Sequence, residues 1–263
     1  MIRVGVGGWS FEPWRGGFYP EDLPHAQELA YACRHVTAIE INSTFYRTQS
    51  RASFAKWRDA APEGFVFCVK AHRAAVSARA LAEAGDKVEY FLSSGVAELG
   101  DKLGPLLWQL PPHKPFDPAE IGAFLKLLPK QRNGRPLRHA LEIRHESFLD
   151  AKFIAMLREE NVAAVHVDGE GHPAIADVTA DFVYARLRRT REDCATGYAA
   201  KALGLWAKRA RSWQSGATPA DLRSLAPPAE KRPRDVFVFM IDGAKVRAPA
   251  AAMALIERLD SGQ

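Results

Sequence analysis

Apolar residues along the chain fall into short continuous runs, separated by segments in which apolar and polar positions mix with helical spacing. Eight of these runs have the length and the β-branched or aromatic content of strands. Most lack polar alternation, which is typical of parallel strands that are covered on both faces. The predicted strands are 3–8, 36–42, 65–70, 105–110, 139–144, 162–168, 182–187 and 235–241.

Helices are predicted between these strands, at 24–33, 50–60, 87–101, 117–128, 151–160, 199–214 and 249–260. Asp117, Pro118 and Glu120 form a helix-start signal, because they supply a cap, a favoured first residue and an acidic third position. The segment after the sixth strand predicts only a short, weak helix. The proline-rich stretch 215–234 predicts a long loop before the last strand.

Strands that alternate with helices over about 250 residues predict an α/β fold, a single (β/α)₈ TIM-like barrel domain spanning 1–263, irregular in places. An open doubly wound sheet is the alternative. Gly5, Gly7 and Gly8 do not make a dinucleotide fingerprint, because the later glycine is missing and Trp9 follows in place of a helix start.

Charged residues occur near the ends of two strand-like runs, where burial of a charge is costly unless it meets a partner. Side chains alternate along a strand, so Glu40 shares a face with Asn42, and Glu142 shares a face with Arg144. In a barrel, the carboxyl ends of the strands meet at the mouth that holds the active site. We therefore expect these groups to converge on one polar pocket.

The other strand ends extend this candidate site. The predicted catalytic residues are Glu142, Glu40 and Lys70. The predicted ligand-binding residues are Trp9, Ser10, Asn42, Tyr46, Gln109, Arg144, His145, Asp168 and Arg186. The structural alternative is that the charged members pair with one another and only close the top of the barrel.

The chemistry that we favour is an enzyme acting on a small polar or anionic metabolite, such as a sugar or sugar phosphate. Glu142 and Glu40 would be an acid/base pair, and Lys70, Arg144 and Arg186 would bind the anion. No cofactor is predicted. A Schiff-base lyase that uses Lys70 is an alternative.

A divalent-metal-dependent hydrolase or isomerase is a further alternative. Its ligands would be Glu142, Asp168 and either His145 or His166. The signal is weak, because the chain has no His-x-His pair and no His-Glu-x-x-His motif, and the nearby cations would compete with a metal.

The net charge of +5 is uneven, because residues 186–234 contain 12 Lys and Arg against 4 Asp and Glu. This region gives a non-catalytic alternative, a binder of nucleic acid or of a phosphorylated ligand. A solvated helix face with a basic loop is the favoured interpretation, since no nucleic-acid-binding motif is present.

Cysteine usage and hydropathy give the expected compartment. Cys33, Cys68 and Cys194 are far apart and odd in number, which argues against a disulfide framework or a structural zinc site. The chain has no apolar run of roughly 18 residues, the length of a membrane span, so no membrane partner is expected. Its start also lacks the features of a signal peptide, and we expect a cytoplasmic protein.

Several motifs also resemble one known family. They are Val6–Ser10 with Trp14-Arg15-Gly16 and Phe18-Tyr19-Pro20, Glu40–Tyr46, Lys102–Pro105 with Gln109–Pro112, Glu142–His145 and Tyr184–Leu187. The sequence is similar in these places to the YecE-like family, domain of unknown function 72. The resemblance covers almost the whole chain and implies a TIM-like barrel in a bacterial or archaeal cytoplasmic protein. It implies no established reaction.

The chain departs from this family pattern in two places. The family usually has His-Gly after the arginine of strand seven, where this chain has Arg188 and Arg189. The family also tends to carry an acidic or amide pair after strand eight and an Asn in the next helix, where this chain has 240–243 and 248–251. If those positions contact the ligand in relatives, the departures imply a changed ligand, altered chemistry or reduced activity.

Overall fold

A computed structural model describes residues 1–262 and contains a closed barrel of eight parallel strands. This confirms the predicted fold class. The strands of the barrel are β1 Ile2–Gly7, β2 Ala38–Ile41, β3 Val66–Lys70, β4 Leu103–Gln109, β5 His139–Glu142, β6 Ala163–Asp168, β7 Phe182–Leu187 and β8 Asp235–Met240.

Each strand pairs with the next strand along the chain, and β1 closes the barrel against β8. In that closing pair, Val4 lies opposite Val238. A two-stranded antiparallel hairpin, Gln131–Arg132 with Arg135–Pro136, lies outside the barrel between the fourth and fifth strands.

Seven α-helices within residues 1–262 connect the strands, and an eighth follows the last strand: α1 Glu28–His35, α2 Arg51–Ala60, α3 Arg73–Val76, α4 Gly85–Ser93, α5 Pro118–Leu127, α6 Ala151–Glu159, α7 Ala200–Gln214 and, after β8, α8 Ala248–Asp260. The predicted helix 87–101 ends early and gives way to 3₁₀ turns after Gly95. Gly95 has φ +125°, and a Cβ there would come within 2.7 Å of the Arg51 Cα. Only glycine fits that break.

Two irregularities shape the barrel. In the described part of the chain, residues 169–181 between β6 and β7 contain no helix. The predicted loop 215–234 contains no helix or strand either. Arg234 fixes the end of this loop, because its buried guanidinium donates to the carbonyl oxygens of Ala180, Gly216, Glu230 and Arg232.

The barrel interior has its own apolar cluster, which includes Phe182, Tyr184, Phe237 and Phe239. On five strands, β2, β3, β4, β5 and β7, the residues that point inward are apolar at first and become polar toward the carboxyl end. On β3, for example, Val66 and Cys68 belong to the interior cluster and Lys70 follows two residues later. The polar mouth is therefore built on an apolar base.

No helix among residues 1–262 has the length and apolar character that crossing a bilayer requires.

The cap of α5 gives a first prediction. The Asp117 carboxylate accepts hydrogen bonds from the backbone nitrogens of Ala119 (2.8 Å) and Glu120 (3.1 Å). Asp117→Ala should lower the free energy of unfolding by about 1 kcal/mol in chemical denaturation. The control is Glu63→Ala, an exposed loop change that should cost less than about 0.5 kcal/mol. Equal losses in the two variants would contradict the capping role.

Candidate functional site

The last inward residues of five strands carry the polar groups of the mouth. They are Glu40 on β2, Lys70 on β3, Gln109 on β4, Glu142 on β5 and Arg186 on β7. Strand pairing sets their relative heights; Gln109, for instance, lies directly opposite Glu142. The period-two alternation of strands therefore gathers side chains that are distant in sequence.

An arginine held between two buried carboxylates forms the centre of the site. Arg186 donates to Glu40 through Nε (3.1 Å) and Nη2 (2.9 Å), and through Nη1 to Glu142. The Tyr184 hydroxyl also donates to Glu40, at 2.7 Å. Both carboxylates are 0% exposed and Arg186 is 2% exposed. We call Glu40, Arg186 and Glu142 the buried triad.

A second tier of side chains lies on the triad. Gln109 donates from Nε2 to Glu142 (2.7 Å) and accepts from the Lys70 ammonium (2.8 Å). Arg144 donates from Nε to the same Glu142 oxygen. Asn42 donates to Glu40 at 2.9 Å. Glu40, Asn42, Lys70, Glu142, Arg144 and Arg186 converge as predicted, with the charged members paired with one another. Of these six, only Asn42 lines either of the two cavities at the mouth, so the predicted single pocket is not formed by the whole set.

These pairings shift the pKa values of the two central ionisable groups. Burial alone would raise the pKa of Glu142, but Arg186 and Arg144 outweigh it and bring the pKa down to about 2. Burial lowers the pKa of Lys70 to about 8, and the charge of Arg186 adds to this effect against the opposing carboxylates. Glu142 therefore stays ionised at neutral pH, whereas Lys70 titrates close to neutral pH.

Cations and a histidine surround the triad at the rim. The Nη1 atoms of Arg144 and Arg188 both lie near the His172 Nε2, at 3.0 and 2.9 Å. Arg188 also pairs through Nη2 with Asp242. Arg188 and Asp242 are two of the positions where the sequence departs from the family pattern, and here they bond to each other.

Two cavities open at the mouth. One has a volume of about 260 Å³ and includes Trp9, Ser10, Asn42 and Lys245 in its lining. Asn42 links this cavity to the triad through its bond to Glu40. The other has a volume of about 500 Å³ and is lined by His172, Arg188, Arg189, Arg191, Asp242 and neighbouring loop residues. Each has room for part of a small metabolite.

The structure places three predicted ligand residues away from the triad. Asp168 points away from the barrel interior and pairs with Arg189 at 3.2 Å. His145 caps the turn that follows β5, because its Nδ1 accepts from the Ser147 backbone nitrogen at 3.2 Å. Tyr46 is 70% exposed and contacts the Phe45 ring.

The ligands of the metal alternative do not come together. His166 faces outward against the rings of Trp206 and Trp213, and its Nδ1 bonds to the Ile175 carbonyl oxygen at 3.1 Å. Asp168 lies on the same outer face, whereas Glu142 is inside the barrel. Within residues 1–262, no group of three or more His, Cys, Asp or Glu side chains is placed to hold a metal ion.

Sequence reasoning missed three site residues. Tyr184 was hidden in an apolar strand, although its position two residues before Arg186 put both side chains on one face. His172 lies in a loop without any pattern. Lys245 follows β8, and its ammonium lies 4.5 Å from the centre of the Phe11 ring. Burial lowers the pKa of Lys245, and the negative charge of Asp242 partly offsets this shift.

Many cations of the basic region 186–234 are engaged within the fold. Arg209 pairs with Asp221 at 2.8 Å and stacks on Trp206, and Arg191 pairs with Asp193. Arg211 donates to the carbonyl oxygens of Arg258 and Leu259 at the end of α8. A nucleic-acid partner remains an untested alternative for this region.

Comparisons with known proteins give a consistent family. A family profile described as "Protein of unknown function DUF72" matches residues 3–263. The chain is 30% identical over 152 residues to the UPF0759 protein YecE of Escherichia coli K12, an alignment that covers 56% of this chain and 50% of that protein. It is 28% identical over 159 residues to the UPF0759 protein YunF of Bacillus subtilis 168, covering 58% and 54%. The matched part spans about half the length of these relatives.

Solved structures of the family share the fold. A DUF72 family protein from Thermotoga maritima MSB8 superposes with a TM-score of 0.75 at 23% identity, covering 99% of each chain. Another, from Enterococcus faecalis V583, gives a TM-score of 0.73 at 17% identity over 99% of this chain and 96% of that one.

The depressed pKa of Glu142 predicts how acid affects the fold. A carboxyl whose pKa falls from 4.5 to about 2 on folding contributes stability that is full above about pH 4.5 and lost as pH falls toward about 2. Glu142→Gln should therefore be less stable than the wild type by on the order of 3 kcal/mol near neutral pH. The gap should close on acidification, measured by urea denaturation from about pH 7 to about pH 2.5.

The matched control is Glu146→Gln, an exposed carboxamide substitution in the same segment. Its effect should be small at every pH, because exposed carboxylates contribute little. A gap for Glu142→Gln that stays constant down to about pH 2.5 would show that the triad does not hold Glu142 ionised.

Proposed function

The chain belongs to the DUF72 family, whose name assigns no function. From the side chains at the mouth of the barrel, we propose that the protein is an enzyme. It would bind a small polar, anionic metabolite and act on it by acid/base chemistry. The proposal makes Lys70 the proton-transferring group. It makes Arg144 an anion-binding group and the buried triad the support that positions both.

The observation that carries this proposal is a lysine buried beside the triad, whose ammonium donates to the Gln109 oxygen at 2.8 Å. Burial at this position lowers the pKa of Lys70 to about 8. A lysine in water titrates near about 10.4 and is almost fully protonated at neutral pH. Lys70 is only 9% exposed, so its ammonium has lost most of its hydration, and the Gln109 oxygen gives it one hydrogen bond. An amine that titrates near physiological pH can both accept and return a proton.

Glu142 and Glu40 serve this chemistry by position. With a pKa of about 2, Glu142 remains ionised through the physiological range and is a weak base. It accepts hydrogen bonds from Arg186, Arg144 and Gln109. Glu142 therefore fixes the amide of Gln109, whose oxygen accepts the hydrogen bond from Lys70. The expected carboxylate acid/base pair thus becomes a pair of positioning residues.

An anionic substrate matches the net charge of the buried triad and the second tier. The two triad carboxylates face three cations, Arg186, Arg144 and protonated Lys70, which leaves one positive charge uncompensated within this group. Arg144 is the more accessible of the two arginines, because 18% of its side chain is exposed against 3% for Arg186. A guanidinium matches the geometry of carboxylate and phosphate oxygens. The polar body of the metabolite would lie in the 260 Å³ cavity beside Asn42.

Chemical labelling tests the state of Lys70. Pyridoxal 5′-phosphate forms an imine with an unprotonated amine, with loss of water, and borohydride then reduces the imine to a stable amine. Labelling at Lys70 should exceed labelling at the exposed Lys152 by more than about tenfold at pH 7, because a lower pKa leaves more of the amine unprotonated, and it should rise with pH through about 8. Peptide mapping by mass spectrometry measures both sites in one sample. Equal labelling of the two lysines at pH 7 would overturn the assignment.

Hydrogen exchange tests the reaction class. Sugar phosphates and hydroxy acids incubated with the protein in D₂O should exchange a carbon-bound proton for deuterium, as seen by NMR. Lys70→Met should abolish the exchange, because it removes the base and keeps the length of the side chain. Glu146→Gln serves as the control that should exchange at the wild-type rate. Exchange that persists in Lys70→Met would assign the proton transfer to another group.

A further inference from the structure

The contact between His172 and two arginines has no role in the triad. The Nη1 atoms of Arg144 and Arg188 approach the same imidazole nitrogen, Nε2, at 3.0 and 2.9 Å. The other ring nitrogen, Nδ1, lies 2.8 Å from the Glu170 carbonyl oxygen and must donate to it. Nε2 is then unprotonated and is the acceptor for both guanidinium groups.

This acceptor is weak for two charged donors. An unprotonated imidazole nitrogen has one lone pair and no net charge, so two N–H groups must share it. A phosphate, sulfate or carboxylate oxygen has more lone pairs, so it can accept from both guanidinium groups, and its negative charge attracts them. An anionic oxygen in the place of His172 Nε2 would therefore be a better acceptor for these two arginines.

The neighbouring carboxylates leave these two donor atoms available. Glu142 accepts from the Nε of Arg144, and Asp242 pairs with the Nη2 of Arg188. Each carboxylate thus orients its arginine, and the Nη1 atoms converge on His172. His172 and Arg188 also line the 500 Å³ cavity at the mouth, so an anion has room to enter beside them.

We propose that Arg144 and Arg188 form an oxyanion subsite for a phosphate, sulfate or carboxylate group, and that the His172 imidazole is a gate that the anion displaces. This inference rests on the proposed function, because it places the anionic group of the metabolite. The subsite lies at the ends of β5 and β7, and Arg144 links it through Glu142 and Gln109 to Lys70.

Titration with sodium sulfate at about pH 7.5 tests the subsite, because sulfate is a dianion at this pH. Isothermal titration calorimetry of the full chain should show one site. Arg188→Gln should weaken sulfate binding by about tenfold or more, through loss of a charged donor. The matched control is Arg223→Gln, an exposed arginine of the 215–234 loop that lines neither cavity at the mouth. It should change the affinity by less than about twofold.

The gate makes a prediction of opposite sign. His172→Ala removes the competing acceptor and should tighten sulfate binding several-fold at about pH 7.5, a gain that a misfolded variant cannot produce. Weaker or unchanged binding by His172→Ala would overturn the gate.

Labelling and sulfate binding together distinguish a failure of the oxyanion subsite from a failure of the proposed function. Pyridoxal, which lacks the phosphate, reports on Lys70 without using the subsite, and its labelling should be unchanged in Arg188→Gln. Sulfate binding that depends on Arg188, with Lys70 labelled no faster than Lys152, would support the subsite and refute the proposed function. Normal Lys70 labelling with sulfate affinity equal in wild type and Arg188→Gln would refute the subsite alone.

Discussion

The mouth of this barrel depends on one arrangement, the insertion of the Arg186 guanidinium between two carboxylates that have no contact with solvent. A carboxylate taken out of water loses several kcal/mol of solvation, which only well-placed partners can offset. Glu40 and Glu142 come from opposite parts of the barrel, and Arg186 bonds to both. The barrel closure and the charge arrangement therefore require each other.

This arrangement divides the barrel into levels with different properties. The base is apolar, with the rings of Phe182 and Phe237 filling the interior. The buried triad lies above it, and its charged groups bond to one another out of contact with solvent. In the second tier, Asn42, Gln109 and Arg144 are half-buried and Lys70 is 9% exposed. The chemistry proposed above would take place in this second tier, where the charge of Arg186 raises the electrostatic potential.

Sequence periodicity was enough to predict the barrel and the convergence of Glu40, Glu142 and Arg186, because alternation along a strand fixes which residues share a face. It could not decide which face of β6 points inward, since a strand that is buried on both sides shows no polar contrast. Asp168 was therefore assigned to the mouth although it lies on the outer face with His166. His172 was beyond prediction for another reason: its position depends on a loop whose path only the folded structure defines.

The proposed anion would be coupled by charge to the proton on Lys70. Burial and the charge of Arg186 disfavour the protonated form of Lys70 and lower its pKa to about 8. An anion bound by Arg144 brings a negative charge near that amine and stabilises its protonated form. On the proposed function, the base would become stronger once the substrate is in place, and the proton that it gains would come from the substrate. One set of cations would then both favour the unprotonated amine before binding and recognise the metabolite.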